Sequence, residues 1–187
     1  MSGKCRVLGI VGSPRKNGNT NAMVEAVLQG AAMKGAGVEL VHLSKQKIKP
    51  CKGCGACRQK GNCRYDDDMA ELLGFMKESD VWVLGTPVYW WGPTGQMKTF
   101  MDRWYQDIKG LRECGKKDVI LVIPYGDKDA KTAQNTIGMF QESFEYLKKN
   151  IVEIIEGPGL VDRTEAADND KLMKHCMEIG KKIVKKQ

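Results

Sequence analysis

The feature that most constrains this chain is alternation: short apolar runs give way to longer stretches of helical periodicity from one end to the other. Residues 6–11 read as a buried strand, and a polar loop runs from Gly12 to Asn19. A helix is expected from about Thr20, with Met23, Ala26, Val27 and Ala31 on one face and Gly35 and Gly37 ending it. Residues 38–43 form the second strand. Asp66, Asp67 and Asp68 open the next helix and read as caps for its free N–H groups rather than as a metal or acid/base cluster. Residues 80–85 make the third strand, leading into a loop that begins Thr86-Pro87-Val88-Tyr89-Trp90-Trp91-Gly92. Met97, Phe100, Met101 and Trp104 then recur at helical spacing. Residues 118–124 are the fourth strand, and Ala130, Ala133, Ile137, Phe140, Phe144 and Leu147 line one helix face. A short fifth strand over 151–155 and a helix from about Thr164 close the pattern.

Five strands separated by helices imply right-handed crossovers and an α/β architecture, a parallel sheet covered on both faces. Ligands in such sheets bind at the carboxyl ends of the strands, near the switch in strand order. The loops after strands one, three and four fall there, and so does a cysteine-rich loop over 50–64 after strand two. The 187 residues, 42% hydrophobic and 28% charged, suit one ordinary globular domain over 1–187, without repeat or linker. No apolar run approaches a membrane span and residues 1–6 lack a signal-peptide pattern, so a cytoplasmic location without membrane contact is expected.

The net charge is +7. It reads first as a solvated surface with a basic final helix ending at 181–187, and second as a docking face for an acidic redox partner. Nucleic-acid binding would want a clustered basic stripe with interleaved aromatics, which the sequence lacks. His42 and His175 have no motif around them.

Four of the seven cysteines, Cys51, Cys54, Cys57 and Cys63, follow the spacing C-x2-C-x2-C-x5-C. In a reducing compartment such a group is read as metal ligands or redox groups before structural disulfides. Thiolates are soft ligands, and four on one loop can wrap an iron–sulfur cluster, with Gly53, Gly55 and Gly61 permitting the tight turns. A structural zinc site is a second reading, although zinc motifs usually separate two cysteine pairs by a longer spacer. Four free or paired thiols are the third. Cys5, Cys114 and Cys176 stand alone.

The loop Gly12-Ser13-Pro14-Arg15-Lys16-Asn17-Gly18-Asn19-Thr20 offers hydroxyls, amides, a guanidinium and a helix N-terminus, a set that suits a phosphate monoester. An ordinary polar turn with a helix cap remains open on residue types alone. The loop is neither a Walker A sequence nor G-x-G-x-x-G. Here the chain resembles the flavodoxin-like NAD(P)H-dependent FMN reductases. The resemblance is carried by this loop, by Thr86-Pro87-Val88-Tyr89-Trp90 with Gly92, and by Met97-Lys98 with Phe100-Met101-Asp102-Arg103. The cysteine loop followed by Asp67-Asp68-Met69 is similar to the iron–sulfur flavoprotein branch of that family.

The resemblance implies a three-layer sandwich with strand order 2-1-3-4-5. It implies FMN, its phosphate held by Ser13, Arg15, Asn17, Gly18, Asn19 and Thr20. Thr86, Pro87, Val88, Tyr89, Trp90 and Gly92 would border the isoalloxazine, and Tyr125, Gly126 and Asp127 the remaining edge. It further implies an air-sensitive 4Fe–4S cluster on Cys51, Cys54, Cys57 and Cys63, and a homodimer or homotetramer. The helix Met97–Trp104 is better explained by packing or by that subunit contact than by cofactor binding, and Asp102 with Arg103 is expected to form a structural ion pair. Flavin exchanges one or two electrons and a cubane cluster one, so the pair would convert between the two modes. Electrons would pass between a carrier such as ferredoxin, the cluster, FMN and a quinone, dioxygen or peroxide, with no acid/base residue demanded. The alternatives are a cluster-independent NAD(P)H-dependent FMN or quinone reductase, a non-catalytic flavodoxin-like carrier, and a zinc-stabilised interaction module.

Overall fold

Side chains on the central strands enter two separate cores by turns, because successive Cβ atoms of a strand point to opposite faces. Leu8 and Ile10 of β1 (Arg6–Val11), Trp82 and Leu84 of β3 (Val81–Gly85), and Val119, Leu121 and Ile123 of β4 (Asp118–Tyr125) share one core. Val7, Val11, Val83, Ile120 and Val122 occupy the other. The computed structural model describes residues 4–184; Met1–Gly3 and the basic end expected at Lys185–Gln187 lie outside the described residues. β2 (Gly37–His42) and β5 (Asn150–Pro158) complete a five-stranded sheet of order β2-β1-β3-β4-β5, parallel throughout. The flavodoxin-like arrangement is therefore the one the alternation and the resemblance led us to expect.

The helices divide between the two faces according to their apolar stripes. α1 (Asn19–Met33) and α7 (Asp170–Ile183) cover the core of Val7 and Val83. They cross at two glycines: a Cβ on Gly30 would lie 2.0 Å from the Met177 carbonyl oxygen, and one on Gly180 would lie 1.9 Å from that of Val27. α3 (Met69–Glu78), α4 (Gly95–Asp102), α5 (Ile108–Glu113) and α6 (Lys131–Leu147) cover the other core with Leu72, Phe100, Leu111, Phe140 and Phe144. Each fully buried aliphatic or aromatic side chain contributes about 1.5–3 kcal/mol.

Several expectations change, although Met97, Phe100, Met101 and Trp104 are all buried within the chain, as the packing reading of this helix expects. The helix that carries them ends at Asp102 and continues as a 3-10 segment over Arg103–Asp107. Asp102 pairs with Lys98 one turn back, at 2.5 Å, instead of with Arg103. The expected aspartate capping is weak: the side chain of Asp68, at the N-cap of α3, makes no cap hydrogen bond and accepts from the Lys47 N–H at 2.6 Å. Only Asp67 reaches the helix, accepting from the Met69 N–H at 3.4 Å. The final helix starts at Asp170, capped by Asn169, whose side chain accepts from the Leu172 N–H. The preceding residues 159–169 form a strap across the carboxyl edge of the sheet.

Candidate functional site

Two cavities open beside the loops that leave the sheet. The first, of about 220 Å³, lies over the carboxyl ends of β1, β3 and β4. Ser13, Arg15, Asn19 and Thr20 line it from the first loop, Pro87, Val88 and Tyr89 from the third, and Tyr125 and Gly126 from the fourth. Pro124, Leu160 and Val161 complete the wall and were not expected. Asn17, Gly18, Thr86, Trp90, Gly92 and Asp127 are not part of this lining.

The first loop is built to receive an anion. Ser13 accepts from the Arg15 N–H, Arg15 accepts from the Gly18 N–H, and Asn17 takes φ 54° to close the turn. Among the described residues, no acceptor takes the backbone N–H groups of Lys16, Asn17, Asn19, Thr20 or Asn21. α1 carries no acidic residue in its first turn, so the positive end of its dipole is uncompensated. Arg15 spends its guanidinium only on a 3.5 Å contact to the Val161 carbonyl. A phosphate monoester fits this set of donors.

Asn19 has a second duty. Its side-chain amide donates to the Asp162 carbonyl at 2.7 Å, while its oxygen accepts from the buried Ala166 N–H at 3.0 Å. Arg163 reaches back to the Lys16 carbonyl through Nε and Nη2. The strap is thereby tied to the loop on both sides. No local pattern around Asp162 or Arg163 marks this in the sequence, because the partners stand 143 to 147 residues apart.

The third loop is fixed from beneath. Thr86 is fully buried; its hydroxyl accepts from the Thr94 N–H and donates to the Pro87 carbonyl. Thr94 caps α4 and donates its own hydroxyl to the Gly12 carbonyl at 2.6 Å. Thr86 thus supports the cavity wall from beneath. Above it, Tyr89 and Gly92 exchange two hydrogen bonds around a two-residue turn whose residues, Trp90 and Trp91, both have positive φ. This turn throws Trp90 into solvent, 91% exposed. Trp90 could approach a bound ring only through its backbone, whose N–H finds no acceptor among the described residues.

In the fourth loop, burial and then the Glu156 carboxylate push the Tyr125 hydroxyl up to about 12; it donates to Glu156 at 2.8 Å. Asp127 turns away to accept from the Asp129 N–H and the Thr132 hydroxyl, which hold its pKa below the usual carboxylate value.

The second cavity, of about 270 Å³, is bordered by Cys51, Cys54, Cys57 and Cys63 together with Arg64, Tyr65, Arg103 and Gln106. All four thiols are free. Positive φ at Gly55 and Gly61 brackets α2 (Ala56–Lys60), a five-residue helix the sequence reading did not anticipate. The Gly53 and Tyr65 N–H groups donate to the Cys51 and Cys63 sulfurs, each at 3.5 Å. The Ala56 N–H, with Arg64 behind it, lowers the Cys54 pKa and so favours the ligating thiolate. Among the described residues no three His, Cys, Asp or Glu side chains converge as they would around a single ion. The four cysteines instead border a shared space, and four soft sulfur donors are a set that iron or zinc would take. From Leu43 to Tyr65 the chain bears Lys45, Lys47, Lys49, Lys52, Arg58, Lys60 and Arg64 and no acidic residue.

Beneath this cavity lies a buried ion pair. Arg103 grips Asp67 with two bonds, Nη1 to Oδ2 at 2.7 Å and Nη2 to Oδ1 at 2.9 Å. Asp67 also accepts from the Lys49 N–H, and Arg103 donates to the Lys49 carbonyl and to Gln106. Burial opposes the Asp67 charge, but Arg103 together with the Lys49 and Met69 N–H groups outweighs it and holds the carboxyl below its usual value.

A parallel sheet with an anion loop after its first strand and an apolar wall from its third defines a flavoprotein of the flavodoxin-like class. The chain belongs to the NADPH-dependent FMN reductase family, whose model matches residues 5–142. It is 49% identical over 98 residues to an iron-sulfur flavoprotein of Archaeoglobus fulgidus, a match covering 52% of this chain and 44% of that one. A second iron-sulfur flavoprotein, from Methanocaldococcus jannaschii, is 43% identical over 98 residues, covering 52% of this chain and 51% of that one. The chain thus spans about half the length of the curated relatives it matches. The NAD(P)H:quinone oxidoreductase of Methanothermobacter marburgensis shares the fold, with TM-score 0.75 and 14% identity over 99% of this chain and 98% of that one. No helix among the described residues is long and apolar enough to cross a membrane.

Proposed function

We propose that this protein is an FMN-dependent oxidoreductase that carries a 4Fe–4S cluster and moves electrons between an acidic carrier such as ferredoxin and a small acceptor, a quinone, dioxygen or peroxide. The observation that carries this reading is the pairing, in one chain, of a cavity over an open anion loop with a cavity bordered by four free thiols. Ser13, Arg15 and the free N–H groups of Asn17, Asn19 and Thr20 would hold the FMN phosphate, with Gly18 closing the turn on the Arg15 carbonyl. Pro87, Val88 and Tyr89 would wall the ring, with Tyr125 and Gly126 at its edge and Trp90 and Gly92 shaping the turn above. Cys51, Cys54, Cys57 and Cys63 would ligate the cluster. When bound, FMN would supply one- and two-electron transfer and the cluster one-electron transfer.

The chain's own residues would orient these groups and exclude water around them. The seven cations of residues 43–65 support an acidic partner, since opposite charge steers encounter. A likeness to iron-sulfur flavoproteins over half the chain supports the cluster, and the family supports FMN, with NAD(P)H as a candidate reductant.

The test is an absorption spectrum of anaerobically purified protein with iron, sulfide, zinc and released flavin quantified. Flavin with about four irons per chain is expected. Flavin without metal, after reconstitution with iron and sulfide, would remove the cluster and leave a reductase in which NAD(P)H reduces FMN directly. A colourless zinc protein would remove both.

A further inference from the structure

The Arg103–Asp67 pair is too thoroughly enclosed to be a surface ornament. The side chains are 1% and 3% exposed, and the Arg103 bonds to Asp67 and to the Lys49 carbonyl join the body of the protein to the segment that carries the cysteines. Removing two charges from water is costly, and a buried pair seldom adds net stability over apolar residues of similar shape. Something other than stability should therefore account for its placement.

The geometry is asymmetric. Arg103 lines the four-cysteine cavity and Asp67 does not, so the positive end of the pair faces the sulfurs. Tyr65, itself on the cavity wall, stacks against the guanidinium at 5.2 Å and fixes its plane.

We propose that Arg103, oriented by Asp67, is a positioning residue for the cluster: it sets the cluster's reduction potential through a fixed positive charge at the cavity wall. This rests on the cluster reading given above. A cluster bound by four thiolates is anionic and gains a further negative charge on reduction, so a cation held nearby favours the reduced form. Charge and hydrogen bonds at the sulfurs are the recognised means by which a protein tunes such a centre.

The experiment compares the wild type with Arg103→Gln/Asp67→Asn, which removes both charges but keeps hydrogen-bonding groups, and with Arg103→Lys, which keeps the charge and loses the fork. Each is reconstituted anaerobically, its flavin, iron and sulfide are quantified, and its cluster is titrated against redox mediators by electron paramagnetic resonance. The double variant should keep its flavin and require a more negative poise. At a fixed potential its oxidised-to-reduced ratio should rise roughly three- to tenfold, the upper figure corresponding to 59 mV for one electron.

Failure of the double variant to load iron while it keeps flavin, with the lysine variant loading normally, would also support the proposal. A fully loaded double variant at the wild-type potential would overturn it. So would loss of flavin and iron together in both variants, which would make the pair a support of the whole fold. A wild-type protein that never takes up iron would instead defeat the underlying cluster reading.

Discussion

The turn at Trp90 and Trp91 sets backbone strain against side-chain burial. Its residues take φ 49° and 58°, the left-handed region that side chains with a Cβ avoid at about 1–2 kcal/mol each. A two-residue hairpin loop of this shape favours Asn-Gly. Replacing the pair by Asn-Gly should recover roughly 2 kcal/mol of strain, less about 0.5–1 kcal/mol for glycine's unfolded-state entropy. Trp90, 91% exposed, gives up little burial, but Trp91 is 54% exposed, and losing its buried half costs about 2 kcal/mol. Their mutual contact, at 6.0 Å between ring centroids, adds about 0.5 kcal/mol to the cost. The net loss is about 1–1.5 kcal/mol, or roughly 2–6 °C in Tm for a chain of this size. The assay is thermal unfolding of the flavin-free variant, paired with a flavin titration. Because Trp90 would meet the ring through its backbone alone, flavin affinity should hold while Tm falls. A rise in Tm would refute the burial argument and show that strain dominates the turn.

Gly180→Ala should cost about 1–3 kcal/mol or more by overpacking, since its Cβ would meet the Val27 carbonyl oxygen at 1.9 Å, whereas Gly74→Ala, with nothing within 4 Å, should stabilise α3 by about 1 kcal/mol; denaturant unfolding of the two reads both signs. Arg15→Ala should weaken FMN by about tenfold or more through loss of a charge-assisted bond. Riboflavin, which lacks the phosphate, should be nearly unaffected, and equal losses for both flavins would remove Arg15 from the phosphate site. Tyr125 has its folded pKa raised to about 12 from 10.0, so its contribution is complete below pH 10 and drains away between about 10 and 12. The difference in unfolding free energy between wild type and Tyr125→Phe should accordingly be flat below pH 10 and shrink above it.

The sheet was legible because burial on two faces writes itself into consecutive residues, as Leu8 and Ile10 against Val7 and Val11 show. The cysteine loop was legible because its four sulfurs lie close in sequence. What escaped was non-local. Asp102 looked like the natural partner of Arg103, yet Lys98 took it from one helical turn away and Asp67 reached Arg103 across 36 residues. The three aspartates read as helix caps because nothing in their neighbourhood revealed Arg103 or the backbone of Lys47 and Lys49. α2 and α5 are too short to carry a periodicity. The strap hid because Asn19, read as a phosphate ligand, spends its side chain on Asp162 and Ala166.

That last tie gives the two cavities different fates when the protein opens. Asn19 meets Ala166 across 147 residues, and Thr94 meets Gly12 across 82. The anion loop therefore completes only when distant parts of the chain have already found each other, and the bonded amides that frame it, those of Gly12 and Ala166, should approach the hydrogen-exchange protection of the whole molecule. A ligand there, at 100 times its Kd, would add about 2.7 kcal/mol to global unfolding. The cysteine loop is pinned at its base, where Arg103 meets Lys49 and Asp67, but between those ties the bonds to its sulfurs are local, so the loop should open and re-form while the sheet stays folded. The thiols should thus exchange with solvent, oxidant and iron on a fast local timescale, while the flavin cavity is lost only when the protein unfolds.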